Sequence, residues 1–207
     1  MDVIRFGFVI LVGYLLGAIP SGLIAGKLFR GVDLREYGSG KTGATNALRT
    51  LGVVPAVLVV LVDFTKGITA VLIARALTGS PEAESLTGLA AAVGHNWPVY
   101  AGFRGGRGVL VSYGIFWLIC WPGGAISLAT GVALIAVSRY VSLGVLVGTS
   151  FAAILSVFFV RFSGYSPWIL LYAGPAATLI VIRHLDNIER LRAGTERKLG
   201  QPAKPLS

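Results

Sequence analysis

Three short polar segments interrupt an otherwise apolar chain, and the first, residues 38–49, has the composition of an anion-binding loop. It holds three glycines, hydroxyl and amide side chains, Lys41 and Arg49. Glycines let backbone N–H groups converge on an anion, and a helix starting near Thr45 or Asn46 would point its positive end there. A nucleotide P-loop is excluded, because Arg35 stands where that motif needs glycine and no βαβ unit surrounds it.

The second segment, residues 94–108, ends in four glycines and two arginines within seven residues. Such a stretch can form a phosphate cradle, because backbone amides approach closely while a guanidinium binds two oxygens. The alternative is a basic cytoplasmic turn of the kind that the positive-inside rule favours. His95, taken alone, is more typical of a hydrogen-bonded interfacial histidine than of a catalyst.

The third segment, residues 183–196, places His184 and Asn187 three apart, so that on a helix they share a face and point to one cavity. The alternative is a solvated juxtamembrane helix attracted to anionic lipid. The His-x4-Asp pattern of many glycerolipid acyltransferases is absent, because His184 is followed five residues on by Glu189 and His95 by Tyr100.

The elements that must position these segments are transmembrane helices. Of 207 residues, 55% are hydrophobic and 13% charged, and mean hydropathy is +0.77. Seven apolar runs are long enough, or nearly so, to cross a hydrocarbon core of about 30 Å; they are 3–26, 52–75, 85–101, 109–121, 123–138, 141–160 and 166–182. The fourth and fifth form a tight hairpin around residues 121–124. We therefore expect one all-α integral membrane domain over residues 1–207, with a mobile tail from 197 to 207.

Charge predicts how this bundle is oriented. The polar segments and the carboxyl-terminal tail hold most of the 18 Lys and Arg residues, which the positive-inside rule places in the cytoplasm, with the amino terminus outside. The net charge of +9 therefore needs no nucleic-acid partner. One Cys and two His offer too few ligands for a transition metal, so neither a metal nor a cofactor is expected.

Two charged residues inside a span need a reason, because an ionised group in hydrocarbon costs about 2.5–3.5 kcal/mol. Asp63 and Lys66 lie three apart on one helical face and can pair. We interpret them as a neutralised structural pair; the alternative is that they support the base of an anion site. The glycines of the first span, such as Gly13 and Gly17, are typical of close helix packing.

Together the three segments resemble the acyl-phosphate-dependent glycerol-3-phosphate acyltransferases of bacteria, the PlsY family, over nearly the whole chain. The family's first motif, Gly-Ser-Gly-Asn-x-Gly-Ala-Thr-Asn with a later Arg, is matched at residues 38–49. Its second, Gly-His-x-x-Pro-Val-Phe-x-x-Phe-Lys-Gly-Gly-Lys-Gly-Val, is matched at 94–109, and its third, Arg-His-x-x-Asn-Ile-x-Arg-Leu followed by Gly-x-Glu, at 183–196. The turn at residues 139–143 is also similar to the family.

The resemblance implies a seven-helix enzyme of the bacterial inner membrane with its site facing the cytoplasm. Its substrates would be sn-glycerol 3-phosphate and a fatty acyl phosphate, which a separate soluble phosphate acyltransferase would supply. Its products would be 1-acylglycerol 3-phosphate and inorganic phosphate, the first acylation of phospholipid synthesis.

The resemblance also implies site residues. Ser39, with the backbone of Gly38 and Gly40, would hold the donor phosphate, and the catalytic set would be Ser39, Arg49, Arg107, His184 and Asn187. Further substrate-binding positions would be Thr45, Asn46, Arg104, Gly105, Gly106, Gly108 and Ser142. Glu196 would be structural, pairing with the cationic tail.

Departures from the family pattern leave alternatives open. Lys41 replaces the usual Asn of the first motif, and Arg104 and Arg107 replace two Lys. A guanidinium is a planar, forked group, whereas an ammonium is a point charge. The geometry of the site at Arg107 must therefore differ from the geometry with Lys. One alternative is a diverged paralogue with another donor or acceptor. Others are a membrane transporter of an organic phosphate, against which no inverted repeat is evident, and a noncatalytic scaffold.

Overall fold

The protein is described by a computed structural model that covers residues 3–203 and residue 205, and all regular elements of that part are helical. One isolated β-bridge pairs Tyr37 with Pro205. The described α-helices are α1 (Val3–Gly17), α2 (Ser21–Arg30), α3 (Ala44–Leu51), α4 (Val53–Thr78), α5 (Pro81–Asn96), α6 (Val109–Ile119), α7 (Trp121–Ser138), α8 (Val141–Phe162), α9 (Leu170–Arg183) and α10 (Leu185–Arg192). Three single 3-10 turns lie at Leu34–Glu36, Val99–Ala101 and Pro167–Ile169. The all-α prediction is confirmed.

Four stretches of the described chain are long and apolar enough to cross a membrane: Val3–Arg30, Val53–Thr78, Trp121–Ser138 and Val141–Phe162. A fifth results if Pro167–Arg183 and Leu185–Arg192, which are bent by 57°, form one span. The other two expected spans correspond to α5, which has 16 residues, and α6, which has 11. The number of seven spans and the orientation stay predictions.

Small residues allow the helices to pack closely. In a membrane, helices associate through such close backbone contacts, because the hydrophobic effect does not drive them together there. A Cβ on Gly17 of α1 would overlap the Ala91 carbonyl of α5, and one on Gly114 of α6 would overlap the Phe64 carbonyl of α4. A Cβ on Gly144 of α8 would likewise overlap the Gly131 carbonyl of α7. The packing role that the sequence predicted for Gly17 is confirmed.

Breaks between helices fall where the sequence places turn residues. The hairpin expected around residues 121–124 begins slightly earlier, because α6 ends at Ile119 and α7 starts at Trp121. Pro122 lies in the first turn of α7, where the missing N–H would have had no intrahelical acceptor. The helix expected near Thr45 or Asn46 is α3, and it starts at Ala44.

Candidate active site

A cavity of about 520 Å³ receives side chains from all three polar segments. Its basic residues are Lys41, Arg49, Arg107, Arg190 and Arg197, and its acidic residues are Asp63 and Glu196. The rest of the wall is largely apolar, with Val60 from α4, Val109, Leu110 and Tyr113 from α6, Leu128, Val132 and Ile135 from α7, and Val141 and Val145 from α8. A cavity with a cationic region and an apolar wall suits an amphiphile that carries an anionic group.

The loop before α3 is organised by the Asn46 side chain. The Asn46 Nδ2 group donates to the carbonyls of Leu34, Tyr37 and Lys41 at 2.9–3.0 Å, and its Oδ1 accepts from the Ser39 N–H at 3.2 Å. Gly38 and Gly40 adopt left-handed conformations with φ of +59° and +66°, which glycine tolerates without strain. The Ser39 hydroxyl has no hydrogen-bond partner within residues 3–203 and 205, and Ser39 lines the cavity.

The glycine-rich loop between α5 and α6 folds back onto the end of α5. The Gly106 N–H donates to the His95 carbonyl at 3.1 Å, and a Cβ on Gly106 would overlap His95 Nε2. A Cβ on Gly105 would overlap the His95 carbonyl oxygen. The two glycines therefore bring this loop against His95, and the next residue, Arg107, reaches the cavity wall.

Two arginines tie this loop to the third polar segment. Arg183 Nη2 donates to the Gly106 carbonyl at 2.9 Å, and its guanidinium lies 5.1 Å from the centre of the Trp97 ring. Arg107 Nε donates to the Arg183 carbonyl at 3.0 Å, while its Nη2 donates to Asp186 at 2.7 Å. The fixed fork of a guanidinium suits both contacts of Arg107, which gives the arginine at this position a structural reason.

His184 lies at the break between α9 and α10 and is 3% exposed. Its Nδ1 is 2.8 Å from the Ile180 carbonyl, so Nδ1 carries the hydrogen and Nε2 is left as an acceptor. Burial, with a further contribution from the Arg107 charge, lowers the pKa of His184 to about 4. The imidazole is therefore neutral near pH 7.

Glu196 joins α8 to α10. Its Oε1 accepts from Ser142 at 2.8 Å and from Asn187 at 2.7 Å, and its Oε2 accepts from Arg190 at 2.7 Å. Burial raises the pKa of Glu196, but these three hydrogen bonds outweigh it, so that the pKa lies below its ordinary value. The structural role expected for Glu196 thus has a partner in Arg190, and the carboxylate also orients Ser142 and Asn187.

Two buried polar atoms of cavity residues have no hydrogen-bond partner within the described part of the chain: Arg49 Nε, a donor, and Asn187 Oδ1, an acceptor. The rest of each side chain is held, because Arg49 Nη2 donates to the Arg197 carbonyl at 3.2 Å and Asn187 Nδ2 donates to Glu196. An unpaired buried polar atom costs about 1–3 kcal/mol. Both atoms therefore favour a ligand that accepts at one point and donates at another.

The charged pair in α4 is part of a larger buried cluster. Lys66 Nζ lies 2.8 Å from Asp63 Oδ1, and Ser21 donates to the same oxygen at 2.7 Å. Lys66 also donates to His95 Nδ1 at 3.0 Å and to the Ile19 carbonyl at 2.9 Å. The predicted pairing is confirmed, and the alternative that it supports an anion site gains weight, because Asp63 and His95 line the cavity.

Most residues that the sequence singled out are brought together. The cavity is lined by the whole expected catalytic set, Ser39, Arg49, Arg107, His184 and Asn187, and by Gly38, Thr45, Asn46, Gly108, Ser142 and Glu196. It is not lined by Gly40, Arg104, Gly105 or Gly106. Gly40 shapes its loop, the Arg104 side chain is exposed, and Gly105 and Gly106 pack on His95. Whether the lining residues bind substrate stays a prediction.

The sequence did not single out Arg183, Arg190 and Arg197 as parts of the site. Arg183 and Arg190 are within the third motif, but spacing alone gives no sign that they hold Gly106 and Glu196. The apolar wall from α7 and α8 carries no motif, and only the packing of the two helices brings it to the cavity.

Fold and cavity together define a class: a helical integral membrane protein that encloses a cavity with basic residues and an apolar wall. The family model for glycerol-3-phosphate acyltransferase matches residues 7–194. The chain belongs to the glycerol-3-phosphate acyltransferase family, which supports that enzymatic activity.

Relatives of this name match over nearly the whole chain. The glycerol-3-phosphate acyltransferase of Parasynechococcus marenigrum (strain WH8102) is 44% identical over 192 residues, 93% of this chain and 89% of the relative. That of Thermoanaerobacter sp. (strain X514) is 42% identical over 191 residues, 92% of this chain and 94% of the relative.

The fold is similar to crystal structures of PlsY (YgiH), an integral membrane glycerol 3-phosphate acyltransferase. The glycerol 3-phosphate form superposes with a TM-score of 0.86 at 38% identity, covering 94% of this chain and 96% of that one. The lysophosphatidic acid form gives 0.84 at 37% identity, covering 94% and 95%. The family resemblance stated from the motifs is confirmed.

Proposed function

We propose that this enzyme transfers a fatty acyl group from acyl phosphate to the 1-hydroxyl of sn-glycerol 3-phosphate. The hydroxyl oxygen bonds to the acyl carbonyl carbon, and the bond from that carbon to the phosphate oxygen breaks. The hydroxyl proton leaves with the phosphate, so the products are 1-acylglycerol 3-phosphate and hydrogen phosphate.

Two buried polar atoms of cavity-lining residues, which have no hydrogen-bond partner in the described part of the chain, support glycerol 3-phosphate as the acyl acceptor. Arg49 Nε is a buried donor suited to a phosphate oxygen, and Asn187 Oδ1 is a buried acceptor suited to a hydroxyl group. A phosphate dianion alone has no hydrogen to donate to Asn187. Glycerol 3-phosphate carries both kinds of group on one small molecule.

The acyl chain of acyl phosphate fits the apolar part of the cavity wall, and its phosphate fits the polar part. The apolar side chains of α6, α7 and α8 suit an acyl chain, and the Ser39 hydroxyl lies free for a phosphate oxygen. The first residues of α3, Ala44 and Thr45, also line the cavity, and Gly43 before them supplies no side-chain cap. The first N–H groups of a helix have no acceptor within the helix, so those of Ala44 and Thr45 can bind an anion.

Acyl phosphate also suits a site without an activated nucleophile. It is a mixed anhydride with a good leaving group, so positioning and charge stabilisation suffice for transfer. An acyl-enzyme thioester would need a cysteine, and none is among the residues that line the cavity.

The substrate phosphate is a better proton acceptor than the histidine. The pKa of His184 is lowered to about 4 by burial and by Arg107, whereas the second pKa of a phosphate ester is about 6. We therefore assign to His184 Nε2 a hydrogen bond that orients the attacking hydroxyl, and to a phosphate oxygen the role of base.

The location follows from the same proposal. Basic segments around the cavity favour the cytoplasmic side of a bacterial inner membrane, where a soluble phosphate acyltransferase would deliver acyl phosphate. The lipid product would leave sideways into the membrane, along the apolar wall.

Replacing Ser39 by Ala tests the site assignment. With acyl phosphate and sn-glycerol 3-phosphate, the wild-type protein in lipid nanodiscs should form 1-acylglycerol 3-phosphate, and Ser39→Ala should lose most of that rate while keeping its thermal unfolding midpoint. Ser163→Ala, in the exposed loop after α8, is the matched control and should keep full rate. Unchanged turnover by Ser39→Ala would remove Ser39 from the donor site.

A further inference from the structure

The basic residues of the cavity differ in whether the protein already neutralises them. Arg107 donates to Asp186 and to the Arg183 carbonyl, and Arg190 donates to Asp186 and Glu196. Lys41 lines the same cavity and is half-buried, but its ammonium has no acceptor anywhere in residues 3–203 and 205. It is therefore a cation of the cavity with no hydrogen-bond or ion-pair partner in the described part of the chain.

The backbone around Lys41 is held by hydrogen bonds within its loop. The Lys41 carbonyl accepts from Asn46 Nδ2 at 2.9 Å, and Gly40 before it takes the left-handed turn. Ser39, two residues earlier, lines the same cavity. Ser39 and Lys41 thus line the cavity from one loop that is hydrogen-bonded to Asn46.

The surroundings of Lys41 disfavour an unpaired cation. Burial, followed by the charges of Arg183 and Arg107, lowers the pKa of Lys41, and Asp186 offsets this only in part. A dianion bound between these groups would reverse that balance, because opposite charges at close range stabilise each other most where water is excluded.

The charge of the substrates matches this surplus. Five basic and two acidic residues line the cavity, while two phosphate groups bring about −3 to −4 charges near pH 7. With Lys41 included, these lining residues carry a net charge of +3, which is close to the opposite of the charge that the two phosphate groups bring.

We propose that Lys41 Nζ binds a substrate phosphate in this cavity, together with the cations of the glycine-rich loop. This deepens the proposed function and rests on it. Lys41 is not among the site residues that the family resemblance implies.

The test is a kinetic comparison of Lys41→Asn, Lys41→Arg and the control Lys27→Asn, whose side chain is exposed at the end of α2. Lys41→Asn should raise the KM of one substrate about tenfold, the loss expected for one charge-assisted hydrogen bond, and leave the other within twofold. A rise for glycerol 3-phosphate identifies the acceptor phosphate, and a rise for acyl phosphate identifies the donor phosphate. Lys41→Arg should restore most of the loss, and Lys27→Asn should change neither KM.

Two results would overturn the proposal: both KM values within twofold of wild type in Lys41→Asn, or no rescue by Lys41→Arg. Calorimetric binding of inorganic phosphate separates this inference from the proposed reaction. If the wild type made no lysophosphatidate but bound phosphate more tightly than Lys41→Asn, the reaction would fail and the Lys41 site would stand. Equal phosphate affinity together with equal KM values would remove the Lys41 site alone.

Discussion

At the scale of residues, the site consists of side chains that are anchored at one end and free at the other. The Arg49 guanidinium is held by the Arg197 carbonyl, the Asn187 amide by Glu196, and the His184 ring by the Ile180 carbonyl. Each leaves at least one polar atom without a partner in the described part of the chain. Groups fixed before the substrate arrives need no reorganisation during the reaction, which is the main source of electrostatic catalysis.

Removing one of these free atoms should impair the reaction with glycerol 3-phosphate, the acyl acceptor, more than the binding of acyl phosphate, the acyl donor. Asn187→Ala deletes the unpaired Oδ1, and we expect kcat/KM for glycerol 3-phosphate to fall about 10-fold to 100-fold, the range for one buried hydrogen bond. Initial rates with each substrate varied in turn measure this. The KM for acyl phosphate is the internal control, and an equal loss for both substrates would contradict a direct contact with the acceptor.

The pH dependence of His184 follows from its burial. Because its pKa is lowered from 6.5 to about 4, the folded protein binds fewer protons at this ring than the unfolded chain does. The stability contributed by the neutral ring is therefore complete above pH 6.5 and is lost as the pH falls toward 4.

Ring-nitrogen NMR of histidine-labelled protein measures this titration directly, since the chain has two histidines and His184→Gln assigns them. We expect the His184 ring to keep one tautomer from pH 8 to 5.5 in the free protein. A bound phosphate dianion should raise its pKa. A midpoint near 6.5 without substrate would show that the ring is solvated.

At the scale of elements, the glycine-rich loop acts through its packing on α5. Gly106 lies against His95, which Lys66 of α4 holds in turn. The loop therefore connects a buried charge cluster to Arg107, the residue that faces the cavity. The close approach to His95 gives these glycines a physical reason.

Gly106→Ala should destabilise the protein by about 1–3 kcal/mol, the cost of overpacking a buried contact, and should lower activity through the displaced Arg107. Thermal unfolding in detergent micelles measures the first effect. Gly174→Ala on α9, where an added Cβ meets nothing within 4 Å, is the matched control and should be neutral or slightly stabilising. Equal unfolding midpoints for the two variants would contradict the packing at His95.

The elements show what sequence can and cannot predict. Helices, the turn at Trp121 and the start of α3 follow from local patterns, because apolar runs, proline and glycine act over a few residues. Contacts such as Arg183 with Gly106 join residues 77 positions apart, and no local pattern encodes them. For that reason the sequence grouped Gly105 and Gly106 with the substrate-binding residues, although they pack on His95.

At the scale of the whole molecule, burial of α5 explains why spans are hard to count. Glu84, Thr87, His95 and Asn96 of α5 are all buried, in contact with neighbouring helices rather than lipid. Polar residues buried inside a bundle lower the hydropathy of a helix without excluding it from the membrane. Length and composition alone therefore favour fewer spans than the seven that the apolar runs predict.

Thiol labelling tests the predicted orientation. Cys120, the natural cysteine, is buried, so single new cysteines can be introduced in exposed loops without strong background. We expect Ser163→Cys, after α8, to react with a membrane-impermeant maleimide in intact cells, and Ala193→Cys, after α10, to react only in permeabilised cells. The reverse pattern would place the cavity's basic end outside.

The most direct test of the proposed reaction is to measure the products that the purified protein in nanodiscs forms from sn-glycerol 3-phosphate with either acyl phosphate or acyl-CoA. Acyl phosphate should give 1-acylglycerol 3-phosphate and inorganic phosphate in equal amounts, and acyl-CoA should give neither. Turnover with acyl-CoA alone would contradict the proposed donor. No turnover with either donor would contradict the proposed reaction and leave the cavity as a site for another phosphate-bearing amphiphile.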